Sequence, residues 1–206
     1  RRIYATVKFF IYTMVGSLVM LVAILATAFL AKGPGGELTF NIAALANHDW
    51  TQTQSTWLFA AFALAFLIKL PVFPLHGWMP GAYAAAPLVI TALLSAVMSK
   101  AGAYGLLRIG VPLFPEGAHR LAITVSILAL CGIIYGSLLA WRATTMRMLV
   151  AYSSLAHLGF IVLGIMSFTT IGGQGAVLQM VNHGIVTAAA FAIVAIVARA
   201  KHGDEE

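Results

Sequence analysis

The chain has 206 residues, of which 61% are hydrophobic and only 9% are charged, and its formal net charge at pH 7 is +6. An average soluble domain is about 45–50% apolar and about 25% charged, so this composition excludes a water-soluble globular protein. The twelve basic residues stand apart between apolar runs, which indicates membrane topology and gives no sign of a nucleic-acid partner.

Six apolar segments follow one another along the chain, and each is long enough to span a bilayer. They cover approximately residues 8–31, 55–75, 86–109, 120–141, 147–168 and 174–198. Residues 32–54, with their glycines, proline and charged groups, predict the one long loop outside the bilayer. We therefore expect an all-α membrane bundle of about six helices, with residues 1–206 as one domain cut from a longer protein.

Basic residues at the segment ends predict the orientation of the bundle. If the helices alternate, one side receives Arg1, Arg2, Lys8, Arg142, Arg147, Arg199 and Lys201, and the other receives Lys32, Arg108 and Arg120. The positive-inside rule then places both ends of the chain in the cytoplasm. The GxxxG spacing of Gly132 and Gly136 predicts close helix packing.

Lys69 ends an apolar run and is followed by Pro71 and Pro74. Proline has no backbone N–H, so a helix continued through both would leave the carbonyls of Leu67 and Leu70 unpaired. Inside a membrane, unpaired backbone is tolerated only where it lines protein or water. A charge at such a break is typical of an ion pathway. The alternative is a lysine that snorkels from a helix end to the lipid head groups.

Three further ionisable residues, Lys100, His157 and His183, lie inside predicted spans, whereas all six acidic residues lie in loops or at the C-terminus. A lysine near the bilayer centre costs roughly 2.5–3.5 kcal/mol, and such residues mark ion and proton pathways. Burial and a second lysine disfavour the charged form of Lys100, and imidazole passes protons near neutral pH. The four residues together predict a proton path.

Each of these residues also has an ordinary interpretation. Lys100 could snorkel, although it lies deep in its segment, and each histidine could be a satisfied core residue. The two histidines could instead ligate a haem, but a haem explains neither lysine. His76, just after the proline break, is predicted at the interface. Cys131 is the single cysteine of the chain, so the chain cannot form an internal disulfide and lacks the cysteine ligands of an iron–sulfur cluster.

Five motifs, in this order, carry a resemblance to a known family. They are Lys8–Thr13, Lys69–Trp78, Lys100–Arg108, Leu149–Phe160 and Gly175–Gly184. Over nearly its whole length the chain resembles the antiporter-like M subunits of bacterial NADH:quinone oxidoreductase, respiratory complex I. The resemblance implies the sixth to eleventh helices of a fourteen-helix inverted-repeat subunit.

The resemblance also implies a role for each residue of the path. Lys69 is then the lysine of the broken helix, Lys100 the lysine that connects inward, and His157 and His183 are relay positions. The implied function is proton translocation in the bacterial inner membrane, with other complex I membrane subunits and lipid as partners. The chain itself would hold no cofactor or metal, while flavin, iron–sulfur clusters and quinone would belong to partner subunits.

The sequence departs from this family after Trp78, where the family usually reads Leu-Pro-Asp-Ala-His. This chain has Met79, Gly81 and Tyr83 at the leucine, aspartate and histidine positions. The change puts a charge-based function of this loop in doubt. A similar glycine and tyrosine occur in the D subunit of multisubunit sodium/proton antiporters. A cation/proton antiporter or membrane-bound hydrogenase subunit is therefore the alternative, and a passive scaffold is a third.

Overall fold

The computed structural model describes residues 2–32 and 36–200, and all regular structure within these residues is helical. The helices are α1 (Arg2–Ala31), α2 (Ile42–Ala46), α3 (Gln52–Lys69), α4 (Met79–Ala85), α5 (Leu88–Leu113), α6 (Pro115–Trp141), α7 (Met146–Met166) and α8 (Thr170–Ala200). The predictions that concern Arg1, Gly33–Gly35 and the tail from Lys201, with its basic and acidic side chains, lie outside the described residues.

Five of these helices, α1, α5, α6, α7 and α8, are long and apolar enough to cross a membrane. They correspond to five of the six predicted segments. The segment predicted at 55–75 is α3, which begins earlier because Thr51 and Gln54 form a capping box. It ends at Lys69 because Pro71 cannot continue the helix. The polar first turn and the early end make α3 shorter and less apolar than the other five.

Contacts between helix ends confirm that the helices alternate in direction. Arg147, at the start of α7, donates a hydrogen bond of 2.9 Å to the carbonyl of Ala84 in α4. Arg2 of α1 lines a groove with Ala84, so both arginines lie at one end of the bundle, as predicted. At the opposite end, the Gly117 amide donates to the Ser55 hydroxyl at 2.9 Å. The assignment of the arginine end to the cytoplasm stays a prediction.

The predicted loop 32–54 contains more structure than expected. The side chain of Asn41 accepts from the amides of Ala43 and Ala44 and caps the short helix α2. Trp50 packs against Phe114 with ring centroids 5.4 Å apart, which ties the loop to one end of the bundle. The sequence missed α2 because five residues are too few to show a helical period.

Glycines let α6 and α7 pack closely. A Cβ on Gly136 would lie 2.9 Å from the amide nitrogen of Ala156, so this glycine confirms the predicted close packing. Gly132, four residues earlier, instead faces Phe73, and a Cβ there would meet it at an ordinary 3.5 Å. The two glycines of the motif therefore contact different elements.

Replacing Gly159 by alanine should destabilise the protein, because the new Cβ would lie 2.6 Å from Ile133 Cγ1 and 2.8 Å from the carbonyl oxygen of Ala129. Overpacking of this kind costs about 1–3 kcal/mol. The matched control is Gly175→Ala, since no atom lies within 4 Å of a Cβ there. We expect a lower thermal unfolding temperature in detergent for the first variant alone, and equal temperatures would contradict the packing.

Several polar side chains are buried in the bundle, next to a core of buried apolar side chains such as Phe59 and Phe114. The buried polar side chains include Ser55, Thr91, Ser95, Ser99, Ser154, His183 and Thr187. The outer faces expose large apolar side chains such as Ile123, Leu138 and Trp141, the last of which is 91% exposed. The exposed apolar faces suit contact with lipid or with further helices. Of the four predicted path residues, His183 is buried, the two lysines are half-buried and His157 is exposed.

Candidate functional site

The helix break predicted at Lys69 is present, and its open carbonyls have partners. The carbonyl of Leu67 accepts from the amide of Val72 at 3.0 Å. The carbonyl of Ile68 accepts from the indole N–H of Trp78 at 2.9 Å. The chain therefore avoids the unpaired carbonyls of a continued helix by turning at Lys69 and bringing a buried tryptophan back against it.

Lys69 is half-buried between two buried neighbours. In the part of the chain that the structure describes, its side chain forms no hydrogen bond or ion pair. Close by, α3 crosses α5 so tightly that a Cβ on Gly102 would lie 2.7 Å from the carbonyl oxygen of Phe66. Lys69 on α3 and Lys100 on α5 thus flank a contact between two backbones.

Lys100 is half-buried on α5, and its ammonium group has three partners. Nζ lies 2.6 Å from the carbonyl oxygen of Ser95, 3.3 Å from Ser99 Oγ and 2.5 Å from His183 Nδ1. The histidine belongs to α8, which approaches α5 closely because a Cβ on Gly184 would lie only 3.3 Å from a backbone oxygen of α5. Lys100 and His183 are therefore in direct contact.

His183 connects two groups through its two ring nitrogens. Only 4% of the residue is exposed. When Lys100 is charged it can only donate, so Nδ1 of His183 then accepts from it and the proton of a neutral imidazole lies on Nε2. Nε2 is 3.2 Å from Thr187 Oγ1, which can accept that proton's hydrogen bond. The imidazole is thus set between a proton donor and a hydroxyl.

His157, on α7, lies beside this pair, with its ring centroid 5.5 Å from that of His183. Its Nδ1 accepts from the side-chain amide of Gln179 on α8 at 3.2 Å. A groove of about 340 Å³ joins the two histidines, and its polar lining also includes Ser153, Ser154, Gln179, Asn182 and Thr187. Neither lysine lines this groove. Lys100 is connected to it through its hydrogen bond with His183, whereas Lys69 has no such connection among the described residues.

The geometry does not favour a haem between the histidines. Both nitrogens of His183 are occupied, one by Lys100 and one by Thr187, so neither is free to bind iron. Among the described residues, no group of three histidine, cysteine, aspartate or glutamate side chains is placed to hold a metal ion. Each histidine is hydrogen-bonded to its own partners, His183 to Lys100 and Thr187 and His157 to Gln179, and the two rings are in contact without a hydrogen bond between them.

Sequence reasoning missed the hydroxyls and the backbone that hold this cluster. α5 widens to π-helical turns over Leu94–Met98 and Leu106–Gly110, and Ser95 lies in the first. Its carbonyl oxygen accepts from both Lys100 and Ser99 Oγ, the latter at 2.7 Å. Such turns often occur at functional sites. The sequence gives little indication of these hydroxyl and backbone contacts. Only Thr187 could have been predicted as a partner of His183, because it follows four residues later and so lies on the same face of the helix.

His76 is buried within the bundle, and its predicted position at the membrane interface stays a prediction. It is 9% exposed, and its ring packs against Phe73 and Tyr135 with centroids 5.6 and 5.3 Å away. It is buried because the chain after the break folds back onto α6. Its Nδ1 has no hydrogen-bond partner among the described residues.

Comparison with known proteins decides the family. The family described as "NADH:quinone oxidoreductase/Mrp antiporter, TM" matches residues 1–205. The chain belongs to this family. Membership confirms the all-α antiporter-like fold and the resemblance carried by the lysine and histidine motifs.

Relatives within the family carry the expected names. The chain is 42% identical to NADH-quinone oxidoreductase subunit M of Pseudomonas aeruginosa over 190 residues, which are 92% of this chain and 37% of that protein. Respiratory complex I from Thermus thermophilus contains a chain that is 33% identical, with a TM-score of 0.87 over 95% of this chain and 41% of the other.

A second branch of the family is also similar. The Mrp complex from Dietzia sp. contains a chain that is 27% identical, with a TM-score of 0.79 over 95% of this chain and 35% of the other. Both solved neighbours are subunits of larger complexes. The chain spans little more than a third of the length of the curated relatives it matches.

Proposed function

We propose that this chain forms part of a proton-translocating membrane subunit of NADH:quinone oxidoreductase, with Lys69, Lys100, His183 and His157 as the proton path. The observation that carries the proposal is the direct contact of Lys100 with His183 between two membrane-spanning helices. Within the described part of the chain, no carboxylate pairs with Lys100 or His183, and repulsion disfavours a positive charge on both groups at once. The pair then shares a single positive charge, which is the condition for passing a proton between the two groups.

Proton transfer through this cluster follows from its contacts. The Lys100 ammonium donates a proton to Nδ1 of neutral His183, which leaves a neutral amine and an imidazolium. The imidazolium then releases its other proton from Nε2 toward Thr187 and the polar groove. A proton thus enters the ring at one nitrogen and a different proton leaves from the other, so the ring need not rotate during the transfer.

Lys69 stands apart from this chain of contacts and takes the role of a proton reservoir at the helix break. Its half-buried amine, with the Trp78 indole and the turn beside it, lies next to the α3–α5 crossing that separates it from Lys100. We infer that protons pass between the two lysines along water beside this crossing.

The redox groups and the other membrane subunits of the complex would lie in other chains. We propose that flavin, iron–sulfur clusters and quinone are held by partner subunits, that neighbouring membrane subunits pack on the exposed apolar faces, and that the complex resides in a bacterial inner membrane. NADH:quinone oxidoreductase activity would then belong to the whole complex, and this chain would contribute no redox centre to it. The names of the relatives support this assignment.

His157→Ala should reduce proton transport only in part, because His157 contacts the path through Gln179 and lies beside His183 without a hydrogen bond to it. We expect a roughly two- to tenfold loss of NADH-driven proton transport in vesicles that contain the whole complex, the range of one lost hydrogen bond. His119→Ala, at the exposed start of α6, is the control. Transport at the level of the unchanged complex in His157→Ala would remove His157 from the path.

A cation/proton antiporter subunit is the second candidate, favoured by the likeness to the Mrp complex and by Gly81 and Tyr83. The two functions differ in what drives proton movement. In vesicles free of sodium, the proposed function predicts full NADH-driven acidification. An antiporter predicts none with NADH and a proton flux when a sodium gradient is applied. Genes for flavin and iron–sulfur subunits beside this gene would agree with the first outcome.

A further inference from the structure

A groove at the arginine end of the bundle takes no part in the proposed proton path. It has a volume of about 660 Å³ and lies between the start of α1 and helix α4, where it is lined by Arg2, Tyr4, Ala5, Gly81, Ala84 and Ala85. A Cβ on Gly81 would lie an ordinary 3.6 Å from Ala5 Cβ, so the two helices come close at this point. Four of the six lining residues are glycine or alanine. A hydrocarbon chain can therefore lie close to both helices.

The groove is positively charged, and the described residues supply no anion to balance it. Arg2 is exposed, and its guanidinium forms no hydrogen bond or ion pair among them. Lys8 Nζ lies 6.0 Å from the centroid of the Tyr4 ring and 3.8 Å from the position of a Cβ on Gly77, in the turn before α4. The described acidic residues lie at the opposite end of the bundle, and they are Glu37, Asp49 and Glu116. An anion from elsewhere would therefore be attracted to this groove.

The position of the groove suits a lipid head group. Arg2 and Tyr4 begin α1, a helix that is long and apolar enough to cross a membrane. Tyrosine is enriched where the membrane meets water, and Tyr4 is 71% exposed. Basic pockets between membrane-spanning helices bind the head groups of anionic lipids. The cations of the groove would thus lie at the depth of the phosphates, with the small apolar residues beside them.

We propose that this α1–α4 groove binds an anionic phospholipid, with Arg2 and Lys8 at the head group and an acyl chain along Gly81 and Ala84. The guanidinium can donate two parallel hydrogen bonds to phosphate oxygens, and the lysine adds a point charge. A zwitterionic lipid would bind more weakly, because its own ammonium offsets the charge of the phosphate. The bound lipid would contact both α1 and α4, the helix that follows the break at Lys69. This site does not depend on the proposed proton path.

The test measures which lipid the whole complex holds in the groove. The complex is placed in vesicles of equimolar phosphatidylcholine and phosphatidylglycerol that contain a trace of either lipid with a photoreactive acyl chain. After illumination, the labelled peptides are identified by mass spectrometry. We expect phosphatidylglycerol to label the start of α1 and helix α4 more strongly than phosphatidylcholine does. Equal labelling by the two lipids would overturn the proposal.

Variants of the groove separate its charge from its shape. Arg2→Gln should lower labelling by phosphatidylglycerol about fivefold, the effect of one basic residue near an anionic membrane surface. Gly81→Asp should lower it at least as much, because it adds a carboxylate to the groove. Gly81→Asn has the same size without the charge and should be labelled more strongly than Gly81→Asp. Arg142→Gln is the control, since Arg142 is exposed at the same end but does not line the groove.

Three results would contradict a lipid site. They are unchanged labelling in both Arg2→Gln and Gly81→Asp, an equal loss in Arg142→Gln, and a map of the whole complex in which a protein helix fills the groove. A lipid phosphate beside Arg2 in that map would support the site. Labelling needs neither NADH nor proton transport. Its failure would therefore leave the proton path standing, and a failure of the path would leave the lipid site standing.

Discussion

Replacing Lys69 by alanine in the intact complex should lower NADH-driven proton transport by at least about tenfold, since loss of a proton-transferring group typically costs about 10²–10⁴-fold. Lys69 lies at the end of α3, where the chain turns before Pro71, and among the described residues it forms no ion pair with a carboxylate. The measurement is the initial rate of acidification in vesicles, divided by the rate of NADH oxidation.

Lys69→Arg distinguishes a proton carrier from a snorkelling lysine. Arginine keeps the positive charge and the length of the side chain but does not release its proton in a protein. A proton path therefore predicts that Lys69→Arg is as defective as Lys69→Ala. A snorkelling lysine predicts that arginine works as well as lysine. Lys32→Ala, at the exposed end of α1, is the control and should transport normally.

Much of the fold could be predicted from the sequence because the bilayer imposes a length on every spanning helix. Five predicted segments are five long helices, and the break at Lys69 follows from the chemistry of Pro71. The apolar pattern alone predicted the bounds of α3 less well. The capping box extends the start of α3 before the apolar segment, and the break at Pro71 ends α3 before the segment does.

The site could be predicted as a set of residues but not as an arrangement. Lys100, His157 and His183 stand out because ionisable groups in apolar helices are costly. That Lys100 meets His183, 83 residues away, depends on the rotation of α8 and on the close approach at Gly184. The π-helical turn that brings the Ser95 carbonyl under Lys100 leaves no pattern in the sequence.

Lys100→Ala and His183→Ala should each lower proton transport by at least about tenfold, for linked reasons. Without the lysine, His183 Nδ1 loses its donor. Without the imidazole, the Lys100 ammonium keeps only the Ser95 carbonyl and the Ser99 hydroxyl, neither of which can carry its proton onward. Electron transfer from NADH to quinone should slow less than proton transport, because the redox centres are proposed to lie in other subunits.

The double variant Lys100→Ala/His183→Ala tests most directly whether the two residues act in one step. Groups that act as a unit give strongly non-additive losses. The proton path predicts that the number of protons transported per NADH in the double variant equals that of the worse single variant. A loss in the double variant equal to the product of the two single losses would place Lys100 and His183 on independent routes and contradict direct transfer between them.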